Sequence, residues 1–163
     1  MVEPSGRRRG AEAFDEFYAS HIDKVYRALA VAVGSDDLAR EATDEAMTRA
    51  YAHWARVSGL DNPGGWVFRV GLNWATSWWR KTRRERTRLG DVPQLGSPGP
   101  DPVALAARAA VDRLPVSQRS VVVCRVLLGL STVETAAVLQ LAEGTVKSRL
   151  SRARAALREA LEG

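Results

Sequence analysis

Residues 130–158, LSTVETAAVLQLAEGTVKSRLSRARAALR, constrain the fold more than any other stretch. Their apolar positions recur at helical spacing in two runs, so they read as two short helices around a tight turn. The first helix opens with Ser131 and, three residues on, Glu134. This is a capping box, in which each side chain satisfies a backbone N–H that the helix start leaves unpaired. The turn falls at residues 140–144. In the second helix Val146, Leu150, Ala153 and Leu157 share one stripe. Lys147, Ser148, Ser151 and Arg152 lie opposite, flanked by Arg149, Arg154 and Arg158, and no acidic residue occurs between 145 and 158. A merely solvated face normally mixes both signs. An apolar back, a basic front and a shorter helix ahead of the turn form the pattern of a DNA-reading helix-turn-helix. The plain alternative is a basic amphipathic helix on the surface of a bundle.

The whole chain is basic as well. Its 163 residues carry a formal net charge of +5, with a pI near 10.0, which points to an anionic partner, nucleic acid or membrane surface. No apolar run is long enough to span a bilayer, so membrane insertion is not expected. The first residues, MVEPSGRRRGAEAFDEF, have charge but no apolar core behind it, so they do not read as a secretory signal, and a cytoplasmic location is expected. Cys124 is the lone cysteine, within VVVCRVLL. It is expected to be a buried, reduced thiol. Neither His21 nor His53 has a recognisable partner motif, so no catalytic thiol is expected. No metal-ligand spacing appears either, and neither cofactor nor enzymatic activity is expected.

Taken in order, residues 1–10 look disordered, with Arg7, Arg8 and Arg9 either in a solvated tail, the commoner case, or touching nucleic acid. A helix follows with Phe14, Phe17 or Tyr18, Ile22, Val25 and Leu29 on one face, ending at Gly34. Ser35 caps a second helix, helped by Asp36 and Asp37. Its buried side is Leu38, Ala42, Ala46, Ala50 and Trp54. Its exposed side is an acidic strip of Glu41, Asp44, Glu45 and Thr48, either a solvated face or a docking strip for a basic protein. Residues 56–65 form a turn-rich loop. The next helix places Val67, Val70, Trp74 and Trp78 on a buried stripe, and Arg69, Asn73, Thr76, Arg80 and Arg83 on another face. Basic residues beside aromatics suit single-stranded nucleic acid, since charges hold phosphates and rings accept bases. Residues 89–102, LGDVPQLGSPGPDP, read as a flexible linker. An alanine-rich helix then ends at Leu114-Pro115, and one with Val121, Val122, Leu127 and Leu128 follows. The expected fold is all-α: two small helical domains on a tether, each with a marginal core.

Together these strings resemble the extracytoplasmic-function sigma factors of bacterial RNA polymerase, which have only regions two and four. In region four the resemblance rests on Leu114-Pro115, Gln118-Arg119, Leu130-Ser131, Glu134, Ala136, the run Gly144-Thr-Val-Lys-Ser-Arg-Leu150 and Arg152-Ala-Arg154. In region two it rests on Arg40-Glu41, Glu45-Ala46, Ala50-Tyr51, Trp54, Pro63, Arg69-Val70 and Asn73. The implied division is 11–88 for region two, 89–102 for the linker and 103–163 for region four. The resemblance implies that Glu41, Asp44, Glu45 and Thr48 dock on the β′ clamp helices of core polymerase, and that region four meets the β flap. It implies that Asp61, Asn62, Arg69, Asn73, Arg80 and Arg83 bind the −10 element as a melted strand. Lys147, Ser148, Arg149, Ser151 and Arg152 would meet the −35 element, Arg149 through phosphates rather than bases. Promoter DNA and core polymerase are the implied partners, with an anti-sigma factor as a further one.

Some positions depart from the family pattern. Ala142 stands where a capping serine is usual, and Thr135 where a branched apolar residue is usual. Asp44 replaces a glutamine and Glu41 an aspartate. The competing reading is a two-domain LuxR-type regulator, whose N-terminal module would be a sensor. Such a module has no reason for a tryptophan-rich basic helix beside an acidic strip.

Overall fold

Eight helices are present in a computed structural model that describes residues 4–89 and 101–163, and no strand occurs among those residues. Helix α1 (Pro4–Val33) begins well before the expected start. Proline is preset for a first helical turn, and the Arg, Ala and Glu residues behind it are good helix formers. These residues carry no apolar periodicity to reveal the helix. Gly34, at φ 79°, ends α1 and donates its N–H to Ala30 O at 2.9 Å. Ser35 then caps α2 (Asp36–Ala52) by accepting from the Leu38 N–H at 3.3 Å.

Along α2, Leu38, Ala42, Ala46 and Ala50 are buried as the pattern requires. Trp54 instead opens a separate turn, α3 (Trp54–Val57), and is only half-buried. The expected loop over 56–65 is therefore shorter, because α4 (Pro63–Leu89) starts at its proline. Asn62 caps that start, its Oδ1 accepting from the Gly65 N–H at 2.8 Å. The stripe that α4 buries is Val67, Phe68, Leu72 and Ala75. Beyond Ala75 no described side chain of α4 is buried, so Trp78 is 39% exposed rather than in the core, and Trp74 is half-buried.

Residues 90–100, most of the expected linker, lie outside the described residues; Leu89 closes α4 and Pro102 opens α5 (Pro102–Asp112) behind the cap Asp101. Pro115 is the N-cap of α6 (Val116–Val126). That helix buries Arg119, Ser120, Val121, Val123 and Cys124, while Leu127 is 40% exposed, against expectation. Helix α7 (Thr132–Leu139) has the full capping box: Glu134 N–H to Ser131 Oγ at 3.0 Å, and Ser131 N–H to Glu134 Oε2 at 3.2 Å. Gln140, at φ 54°, makes the left-handed turn, and α8 (Glu143–Glu162) follows with Gly144 inside its first turn.

The halves do not keep separate cores. Val123, Cys124, Leu130 and Val138 of the second half belong to the same apolar cluster as Leu29, Val67 and Phe68 of the first. A smaller cluster joins α6 to the helix-turn-helix: Val121, Ala136 and Val146, with Leu139, Leu141 and Leu150 against them, and Leu139 packs on the shared cluster as well. A polar seam runs beside the shared core. Arg108 donates to Ala30 O at 3.2 Å and lies 3.4 Å from Asp112 and 3.9 Å from Asp36. Each half is short of apolar surface to bury, and joining them supplies it within one chain.

Candidate nucleic-acid interface

The outer face of α8 is as basic in space as in sequence. Lys147, Ser148, Ser151 and Arg152 are all exposed, with Val146 and Ala153 buried behind them and Leu150 and Leu157 half-buried. Ser148 donates its hydroxyl to Thr145 O at 3.1 Å, which leaves its oxygen lone pairs facing outward as acceptors. A shallow groove of about 400 Å³ runs between Lys147, Ser151, Arg154 and Arg158. The helix starts without a side-chain cap, since Ala142 has the extended cap geometry (φ −69°, ψ 147°) but no acceptor. Thr135, directly behind on α7, is fully buried, and its Oγ1 has no hydrogen-bond partner.

Arg149 does not share that face. It is half-buried and lines a cleft of about 530 Å³ between the halves, together with Arg69, Asn73, Trp79 and Arg80 of α4 and Gln140 of the turn. Three of the residues assigned to a melted strand, Arg69, Asn73 and Arg80, are thus brought together. Asp61 is exposed and Asn62 half-buried in the short loop ahead of α4, where the Asn62 Oδ1 is engaged in the cap. The side chain of Arg83 lies outside the described residues.

On α2, Glu41, Asp44 and Thr48 are exposed and Glu45 is half-buried. Glu45 pairs with Arg49 at 2.8 Å, and Thr48 donates to Asp44 O at 2.8 Å. Sequence reasoning missed an apolar surface on the second half. Val126 (69% exposed) and Leu127 end α6, and Val133 (60% exposed) lies in the first turn of α7, so they flank one connection. Helical period assigns such residues to a core by default; only packing tells that the core is already full.

Elsewhere the chemistry is quiet. Burial raises the Cys124 thiol to about 12, which leaves it inert. No group of three or more metal-ligating side chains occurs among the described residues, and none of their helices is long and apolar enough to cross a membrane.

Residues 104–157 match the model of the family described as sigma-70, region 4. Over 153 residues the chain is 35% identical to RNA polymerase sigma-E factor of Streptomyces coelicolor, covering 91% of this chain and 85% of that protein. The chain belongs to the extracytoplasmic-function sigma factors of RNA polymerase. A second relative is the ECF RNA polymerase sigma factor SigM of Mycobacterium tuberculosis, 33% identical over 147 residues, which cover 89% of this sigma factor and 75% of that one. Its fold matches that of the sigma factor RpoE from Bartonella quintana, solved in complex with the anti-sigma factor NepR. The TM-score is 0.83 at 24% identity, over 93% of this chain and 98% of that one. CnrH, solved with the cytosolic domain of CnrY, matches at a TM-score of 0.64 and 26% identity, over 93% of this chain and 89% of that one. Because the likeness spans both halves, the LuxR-type regulator is not favoured. Like its relatives it directs RNA polymerase to promoters.

Proposed function

We propose that this sigma factor reads the −35 element as duplex with α8 and captures the −10 element as a melted strand on α4. The observation that carries the first role is the outer face of α8, where Lys147, Ser148, Ser151 and Arg152 are exposed and unopposed by any carboxylate. Arg149 and Arg154 hold phosphates, which fix position without reading sequence. Arg69, Asn73, Arg80 and Arg83, with Asp61 and Asn62 ahead of them, take the separated strand, whose capture offsets the cost of unstacking. The strip Glu41, Asp44, Glu45 and Thr48 docks on the β′ clamp helices. The exposed Val126, Leu127 and Val133 are the matching apolar contact for the β flap. The functional division follows 11–88, 89–102 and 103–163.

The closed arrangement supports a further step. Elements named for positions about 25 nucleotides apart are roughly 85 Å apart along a duplex at about 3.4 Å per base pair. Arg80 and Arg149 line one cleft, so the halves must separate before both elements are held. Polymerase docking of each half then makes the second DNA contact effectively intramolecular. The chain contributes binding energy and no covalent chemistry, acts in the cytoplasm and, like RpoE from Bartonella quintana, is a target for an anti-sigma protein.

Run-off transcription with core polymerase on host genomic fragments tests this reading. New start sites should appear only with the chain present, and should vanish with Lys147→Ala/Arg152→Ala. Identical start sites with and without it would overturn the proposal.

A further inference from the structure

In the closed chain, residues proposed above for the two promoter elements share one cleft between the halves. Arg69 of α4 and Arg149 of α8 are both half-buried there, Arg80 lines the cleft with them, and among the described residues no carboxylate does. None of the three is ion-paired among the described residues, although Arg49, Arg108 and Arg119 all are. Closing the halves therefore draws guanidinium groups from two elements around one partly desolvated space with nothing to neutralise them. Such groups bind best when an anion accepts their fixed forks of N–H donors.

We propose that this cleft is a binding site for an oligophosphate anion, free or as the phosphate chain of a nucleotide. Its volume of about 530 Å³ lies within the usual small-ligand range of roughly 300–1,000 Å³. Three guanidinium groups disposed around it call for several phosphate oxygens rather than one small ion. Asn73 and Gln140 add amide donors at the rim, and Leu72, Leu139 and Leu141 make an apolar floor. Lys147 and Arg152, on the outer face of α8, lie outside the cleft, and of the α8 residues assigned to the duplex only the phosphate-holding Arg149 lines it. Both halves supply ligating groups, so the site is complete only while the chain is closed. A bound anion stabilises that state by mass action and opposes the separation that promoter binding needs. That last consequence alone rests on the promoter reading; the binding itself does not.

Calorimetric titration of the full chain at fixed ionic strength tests the site, first with inorganic pyrophosphate, then with a nucleoside triphosphate and the bare nucleoside. Pyrophosphate is expected to bind one to one, to raise the unfolding temperature and to leave the radius of gyration in X-ray scattering unchanged. A triphosphate that binds more tightly while the bare nucleoside does not bind identifies a nucleotide; equal affinity identifies the free anion. Loss of one or two charge-assisted hydrogen bonds in Arg69→Gln/Arg149→Gln should weaken binding by about tenfold or more. Arg80→Gln, at an exposed position, should weaken it too, whereas Arg113→Gln, outside the cleft, should not. Equal heats from chloride at matched ionic strength, several weak sites per chain, or undiminished binding by the Arg80 variant would overturn the proposal. Any of these would leave the run-off result standing, so the two readings fail separately.

Discussion

A Cβ placed on Gly65 would lie 2.5 Å from Cγ2 of Val138. The start of α4 and the end of α7 therefore meet with no space for a methyl group, at the point where the first turn of α4 touches the helix-turn-helix. Val138 is 9% exposed and belongs to the apolar cluster that spans both halves. This contact makes the seam testable by one carbon atom.

Gly65→Ala should destabilise the closed chain by about 1–3 kcal/mol, the usual cost of overpacking. Adding Val138→Ala should recover part of that loss, because the two sites share the clash. Recovery stays partial, since the same Cβ would also come within 3.2 Å of Asn62. Denaturant unfolding measures the cycle, and a radius of gyration that rises in Gly65→Ala alone locates the effect at the seam. Additive losses would place the strain elsewhere.

Ala142→Ser should stabilise the chain by about 1 kcal/mol. The backbone at 142 already has the extended cap conformation, so a serine hydroxyl can accept from a free N–H of α8 without any rearrangement. The midpoint of urea unfolding should rise with an unchanged slope.

Thr135→Val should also stabilise. The hydroxyl of Thr135 is fully buried without a partner, and an unsatisfied buried group costs about 1–3 kcal/mol. Valine keeps the branched shape and removes the orphaned oxygen. A lower unfolding temperature for the variant would mean that the hydroxyl has a role the packing does not reveal.

These two sites stand out already in the sequence, where capping chemistry is local: Ser35, Ser131 and Glu134 behave as their spacing demands. The buried face of α2 and the front of α8 were legible for the same reason. Three things were not. Helix α1 begins at Pro4 through residues that have propensity but no amphipathic period. On α4 the buried stripe is Val67, Phe68, Leu72 and Ala75, a phase that four tryptophans along one helix obscured. Arg149 looked like its neighbours on α8, yet it turns into a cleft whose other wall belongs to α4. Contacts between distant segments leave no trace in local spacing, so neither the shared core nor the cleft could be read ahead.

Cys124 should report on opening of that core. Burial raises its thiol from 9.0 to about 12, so the folded state holds this proton more tightly than the unfolded chain does. The resulting stability is fully present below pH 9 and is lost as pH climbs from about 9 to about 12. At pH 8 a thiol reagent should label the native chain only as fast as the core opens. Cys124→Ser should flatten the alkaline limb, and rapid labelling under native conditions would contradict the burial.

Asp112 ties the polar seam together, and its loss should be felt by two arginines at once. Its carboxylate lies 3.4 Å from Arg108 Nε and 3.9 Å from Arg119 Nη1. Desolvation lowers the pKa of the buried Arg119 guanidinium, Asp112 opposes that shift, and Arg108 adds to it. Arg119 Nε is buried with no partner, so the side chain has little else to rely on. Asp112→Asn leaves a buried cation without its counter-charge and should cost about 1–3 kcal/mol. Asp36→Asn is the control: at 3.9 Å from Arg108 and 54% exposed, that pair is a surface contact worth about 1 kcal/mol or less. Unfolding curves at low and high salt separate the two, because added salt should erase the Asp36 effect and leave most of the Asp112 effect. Equal losses from both variants would show that the seam is solvated and that apolar packing alone holds the halves together.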